Sequence, residues 1–176
     1  MKPLQLLPIG EVADGLLPFL KSALQLSLQI PCEILPLALD PAPTFHTERR
    51  QYHSSELLAR MQKVAGPECW RLLGVADVDL YIPILTFVFG EAQMGGPCAV
   101  LSARRLRQEF YSLQPDQPVL EQRLIKEAIH EIGHTCGLMH CNNYACAMAS
   151  SHAVEWIDLK EAVLCAACQQ ILSHAH

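Results

Sequence analysis

HEIGHTCGLMHC, residues 130–141, sets three histidines, a glutamate, two glycines and two cysteines in twelve positions. His130 and His134 are four apart, so on a helix both side chains leave the same face one turn from each other. One helical turn thus offers a zinc ion two imidazole ligands at little entropic cost. Gly137 stands where a positive φ would end the helix and turn the chain, returning His140 as a third ligand. Three protein ligands leave a fourth position open to water, the arrangement of a catalytic zinc site. Glu131, beside them, is placed to take a proton from that water as general base. For HExxH alone, a core helix whose histidines face a polar cavity is a serious alternative. Adding Gly137 and His140 makes a chance match rare.

The next residues extend the pattern. Cys141 follows His140 directly, Cys146 closes CNNYAC (141–146), and Cys165 and Cys168 form CAAC (165–168). Two such pairs resemble the half-sites of a four-cysteine zinc centre, which has no open position and is structural. Because adjacent Cα atoms lie about 3.8 Å apart, a zinc on Cys141 would fix the direction of His140. A redox CxxC needs a thioredoxin-like setting that is missing here, and two disulfides are disfavoured in a reducing compartment. Cys32, Cys69, Cys98 and Cys136 lie among apolar residues and read as inert core thiols.

Several elements must hold these groups. The strongest helix is VLEQRLIKEAIHEIGHTCGL (119–138), with Leu120, Leu124, Ala128 and Ile132 in steps of four. Upstream, 2–10 reads as a strand, 12–30 as a helix with Leu16, Leu20, Leu24 and Leu28 on one face, and 32–39 as a strand. Residues 40–54 read as a surface loop, solvated by default, the alternative being that Arg49, Arg50 and Tyr52 border a substrate cleft and influence substrate charge, and 54–66 as a helix capped by Ser54 or Ser55. Strands follow at 70–82 (bent), 86–92 and 97–106, with a turn at 93–96. Residues 139–155 are irregular and 156–172 a last helix. This order gives an α/β (α+β) fold with a mixed sheet.

The chain of 176 residues is 51% hydrophobic with formal net charge −5, which predicts one globular domain, with residues 1–137 carrying the sheet and helix and 138–176 the cysteines. The acidic balance speaks against a zinc-ribbon nucleic-acid binder, which needs a basic face. The longest apolar run, LYIPILTFVF (80–89), is too short for a membrane span, and the N-terminus lacks a clear signal-peptide cleavage site. The cytoplasm is the expected location, with reduced thiols and a monomer favoured.

HExxHxxGxxH, followed by CAM and CAAC, resembles the archaemetzincin branch of the metzincin zinc metallopeptidases. RRQYHS, VADVDLYIPILTFVFGEA, AVLSARRLR and RLIKEAIHEIGH are similar to the same family, so the resemblance runs from about residue 48 onward. It implies a metzincin-like fold: a twisted mixed sheet with backing helices, an active-site helix and a small zinc-stabilised C-terminal subdomain. It also implies hydrolysis of peptide bonds in peptides or unfolded proteins, with Glu131 as base. By position, His130, His134 and His140 carry over as ligands of a catalytic zinc; Cys141, Cys146, Cys165 and Cys168 as ligands of a structural zinc. Met148 carries over as the methionine of the Met-turn. Some metzincins place a tyrosine after that turn to bind the oxyanion, but ASSHAVEW (149–156) has none, leaving zinc alone, His152 or Tyr144. By the same resemblance FVFGEA (87–92) is the sheet edge above the zinc, able to accept a peptide as an added strand. No blocking pro-segment is evident. A zinc-stabilised peptide-binding module with weak or no turnover is the alternative function.

Overall fold

A computed structural model describes residues 2–174, and side chains through Leu172. Five strands form the main sheet in the order β2–β1–β5–β8–β7. β1 (Leu4–Ile9), β2 (Cys32–Ile34), β5 (Arg71–Ala76) and β8 (Cys98–Ser102) run parallel, and β7 (Gly90–Ala92) runs antiparallel along β8 at the edge. Inner parallel strands must be covered on both faces, and β8 is buried throughout. Helices α1 (Leu16–Leu28) and α3 (Gln117–Thr135) cover one face over Leu4, Leu6, Leu73, Val75, Ala99 and Leu101. Helix α2 (Ser54–Met61) covers the other over Leu7, Ile9, Leu72 and Val100. The mixed sheet with backing helices is the expected metzincin-like architecture.

Several boundaries differ from the sequence reading. Residues 40–54 are ordered structure rather than a loop. A 3-10 turn at Ala42–Thr44 leads into β3 (Phe45–His46) and β4 (Gln51–His53), which join β6 (Leu80–Tyr81) in a second sheet ordered β3–β4–β6. Residues 70–82 divide because Asp77 and Asp79 leave the main sheet to receive bidentate pairs from Arg107 and Arg105, so β5 and β6 serve different sheets. Strand β2 stops at Ile34; beyond it Leu35 N–H still donates to the Leu6 carbonyl, and Leu39 bridges back to Ile9. Strand β7 is confined to Gly90–Ala92, and Val88 instead bridges to Leu80 of the second sheet. Helix α2 is capped by His53 rather than serine, its Nδ1 accepting from the Glu56 N–H at 3.3 Å, and ends at Met61.

The C-terminal helix is two helices, α4 (Val154–Leu159) and α5 (Ala166–His174). Between them the chain turns inward. Glu161 N–H donates to the Ala145 carbonyl at 2.8 Å, and Val163 O accepts from Ala147 N–H at 2.9 Å. An unbroken helix would spend those groups internally, and the long-range bonds win. Among the described residues, no helix is long and apolar enough to cross a membrane.

Candidate active site

Helix α3 begins with Asp116 as cap, its Oδ1 accepting from Val119 N–H at 3.0 Å. It ends where Gly137 N–H bonds to the His134 carbonyl at 2.9 Å and Leu138 N–H to the Gly133 carbonyl at 3.0 Å. Those two bonds make a Schellman turn, and it needs Gly137 at φ +88°. The turn also serves the site: Leu138 O accepts from His134 Nδ1 at 2.7 Å. His130 Nδ1 likewise donates to Ala147 O at 2.8 Å. A carbonyl can only accept, so in each neutral imidazole Nδ1 carries the proton and Nε2 presents a lone pair.

Those two Nε2 atoms lie 3.1 Å apart, and the ligand atoms of His130, His134 and His140 all fall within 4.8 Å of one another. Burial holds the pKa of His130 well below the ordinary value, and that of His134 and His140 below it, with Lys160 adding to each. Three neutral imidazoles converging on one point are the donor set a zinc ion takes. Their partners on the far nitrogens are the orienting bonds such ligands use.

The triad lies in a cleft of about 520 Å³ between two walls. One wall is segment 85–92 with β7; the other is Ser150–His152. Among the described residues no strand pairs with the outer side of β7. Phe89 and Gln93 bond back to Ser102 and Cys98, so by alternation Gly90 and Ala92 turn their polar groups to the open edge. Glu131, 5% exposed, faces this cleft. Burial pushes its carboxyl well above the ordinary carboxylate range; the Glu127 and Glu91 carboxylates push the same way, and Lys160 opposes them. Gly90 makes room for it: a Cβ there would lie 2.6 Å from Glu131 Oε1 and 2.7 Å from the Val100 carbonyl.

The cysteines form the second cluster. Cys141, Cys146, Cys165 and Cys168 place their sulfurs within 4.8 Å of one another. The Cys141–Cys165 and Cys146–Cys168 sulfur distances are both 3.8 Å. Four sulfurs at about 2.3 Å from a tetrahedral ion are about 3.8 Å apart, so the set fits zinc. Cys146 Sγ accepts backbone N–H groups from Met148 and Cys165 at 3.4 and 3.3 Å. The Cys168 N–H brings the Cys165 thiol down to about 7. Within the cluster burial and the neighbouring thiols raise Cys168; outside it burial raises the Cys32 and Cys98 thiols to about 11, and Cys69 and Cys136 are half-buried rather than core.

One short segment joins the clusters. Cys141 N–H donates to the Met148 carbonyl at 2.9 Å, and fully buried Met148 packs under the helix where a Cβ on Gly133 would collide with its sulfur. Met148 therefore underlies the turn of helix that carries His130 and His134.

Sequence reasoning missed Lys160, Glu127, Gly90 and the Ala147 carbonyl. Lys160, 2% exposed, donates to Glu127 Oε1 at 2.8 Å and to Ala147 O at 3.4 Å, beside the His130 bond. Glu127 had a signal, since it stands one turn before Glu131 on the same face. Lys160 had none, looking like a solvated position of an amphipathic helix. Of the suggested oxyanion groups, His152 lines the cleft and Tyr144, 74% exposed, does not. Arg49, Arg50 and Tyr52 do not line it either.

The chain is similar to known proteins along most of its length. The model of peptidase family M54 matches residues 42–174. The archaemetzincin of Methanocaldococcus jannaschii is 42% identical over 161 residues, covering 92% of this chain and 87% of that protein. That of Pyrococcus furiosus is 36% identical over 169 residues, covering 92% and 87%. Among solved structures, a zinc-dependent peptidase from Methanocorpusculum labreanum superposes with TM-score 0.87 at 28% identity, covering 96% of this chain and 99% of the other. Archaemetzincin from Archaeoglobus fulgidus, complexed with malonate, gives 0.83 at 34%, with the same coverage.

Proposed function

The chain belongs to peptidase family M54, the archaemetzincin zinc metallopeptidases, and from that footing we propose that it hydrolyses peptide bonds with Glu131 as general base and two zinc ions per chain. His130, His134 and His140 hold one ion and the four cysteines the other. Zinc on the histidines supplies a Lewis acid for the substrate carbonyl and acidifies the attacking water. An extended peptide lies against the open edge of β7, adding backbone hydrogen bonds with little demand on sequence. Glu131 takes a proton from the water, whose oxygen adds to the carbonyl carbon, and passes that proton to the departing amine. One observation carries the reading: the ligand atoms of three histidines gather within 4.8 Å of one another in a cleft that Glu131 also lines, beside a strand edge with no partner among the described residues.

The same reading takes peptides or unfolded proteins as substrates, treats 1–137 and 138–176 as parts of one catalytic domain, and favours a monomer. Four thiols gathered without disulfides suit the reducing cytoplasm. The test measures metal per chain and cleavage of a peptide library for the intact protein and for His130→Ala/His134→Ala. Two zinc ions falling to one, with cleavage lost, is the expected result. A single zinc in both proteins and no cleavage would overturn it in favour of the peptide-binding module.

Gly90→Ala gives a sharper local check. The Glu131 carboxylate can shift, but the Val100 carbonyl of β8 cannot. Overpacking at such a site costs about 1–3 kcal/mol, so the thermal midpoint and the cleavage rate should fall together. An unchanged rate would mean the carboxylate has no fixed working position.

A further inference from the structure

The second sheet packs Leu80 and Tyr52 against the α2 face of the main sheet, and side chains on and beside it converge on one segment at the mouth of the cleft. Arg49 donates to the Leu85 carbonyl at 3.0 Å and the Pro83 carbonyl at 3.4 Å, its guanidinium 4.4 Å from the Tyr81 ring centre. Gln51 donates to the Thr86 carbonyl at 2.9 Å while holding Asp79 at 3.0 Å. Arg105, paired to Asp79, stacks 4.1 Å from the Phe87 ring centre. Thus three side chains fix the backbone or rings of Ile82–Phe87, and two of them reach from β3–β4 across the chain. What they hold out is apolar. Ile84 is 86% exposed and Leu85 48% exposed, and Ile82, Leu85 and Phe87 line the cleft that contains the histidines.

Exposed apolar side chains on a segment without such ties can fold back onto the surface and lose contact with water. Here the bonds to Arg49 and Gln51 oppose that collapse, keeping apolar surface open beside an unpaired strand edge. The opposite wall, Ser150–His152, is polar.

We infer that Ile82–Phe87 is a pinned apolar lip that receives an apolar side chain of the peptide substrate next to the scissile bond, with Leu85 as its main contact and Arg49 as its positioning residue. The occupant is set by continuity with the cleft: Leu85 and Phe87 line the same cavity as β7, so a peptide on the open edge, which ends at the Val88–Leu80 bridge, brings its side chains against them. By sequence Arg49 stood either in a solvated loop or where it influenced substrate charge. Its guanidinium is instead committed to carbonyls and a ring, so it shapes the lip.

This inference rests on peptide binding in the cleft, and its test separates the two ideas. Two matched peptide series, with leucine or aspartate flanking the scissile bond, are compared on the intact protein, Leu85→Lys and Arg49→Gln. Both kcat/KM for cleavage and direct binding, by fluorescence anisotropy on uncleavable analogues, are measured. The intact protein should favour the leucine series about tenfold or more, the scale of a side-chain difference in an apolar pocket. Leu85→Lys should reverse the preference, and Arg49→Gln should shrink it while leaving Leu85 present. Cleavage with a preference that neither variant moves would overturn the lip and leave the peptidase standing. Binding preference that follows Leu85, without cleavage by any of the proteins, would support the lip and sink the peptidase. A Leu85→Lys effect on self-association alone, with peptide preference intact, would also overturn it.

Discussion

Glu131→Gln should reduce kcat by about 10²–10⁴-fold, the range that general acid–base catalysis supplies, with the metal content per chain unchanged. Glutamine matches glutamate in shape and fits beside Gly90, so the cleft keeps its form. What is lost is the proton acceptor. KM should change little, because the strand edge and the lip bind substrate through other atoms. Stability should move the other way in metal-free protein. Burial and the Glu127 and Glu91 carboxylates hold the Glu131 carboxyl above its ordinary range. A carboxyl with a raised folded pKa binds more protons folded than unfolded, so its contribution is fully present below the ordinary carboxylate pKa and is lost as pH rises toward the raised value. The glutamine variant lacks that loss, so its metal-free form should be the more stable of the two at neutral pH. A pH series of melting curves alongside steady-state kinetics checks both halves. Turnover within a few-fold of the intact protein would remove Glu131 from the mechanism.

The second large effect is expected at Cys146→Ser. Cys146 is 1% exposed, stands 3.8 Å from Cys168 and accepts two backbone N–H groups. A hydroxyl is a far poorer zinc ligand than a thiolate. Binding of structural zinc is worth about 10–16 kcal/mol in zinc-finger peptides. Losing about a third of that would lower Tm by about 7–20 °C in a domain of this size. Activity should fall as well, although no substrate contact is touched. Cys141 adjoins His140 and bonds to Met148, so loosening the cysteine cluster releases a ligand of the other site and the residue beneath the helix. His140→Ala provides the contrast: it should empty the histidine site with a much smaller change in Tm. Metal analysis with calorimetry on both variants decides the matter. Equal Tm values for Cys146→Ser and the intact protein would mean the cysteines hold no structural ion.

Much of the chemistry was legible because it depends on short sequence separations. Spacing along one helix puts His130, Glu131 and His134 on neighbouring positions, and Gly137 announces the turn that returns His140. These are properties of 3.6 residues per turn and of a backbone without Cβ, independent of what packs nearby. The clustering of CNNYAC with CAAC was legible for a related reason: thiolates recur at ligand spacing, although 18 residues separate the pairs. The alternation of strands and helices, and hence the mixed sheet, followed from hydrophobic period.

Other features depended on partners far along the chain. Residues 40–54 lack periodicity and look like a loop, and they become strands only because β4 finds β6 nearly thirty residues later. The run 156–172 has helical propensity throughout, yet it breaks because Lys160 is drawn to Glu127 and Glu161 and Val163 to residues 145 and 147. A charge in an exposed-looking helix position gives no sign that it will be buried. Helix geometry, apolar period and ligand spacing along 130–168 were therefore fixed by the sequence alone. The tertiary structure decided what surrounds the reacting atoms: the unpaired edge of β7, the room Gly90 leaves for Glu131, the buried Lys160 and the lip held by Arg49. Each of those arises where segments distant in sequence meet, and local propensity carries no information about such meetings.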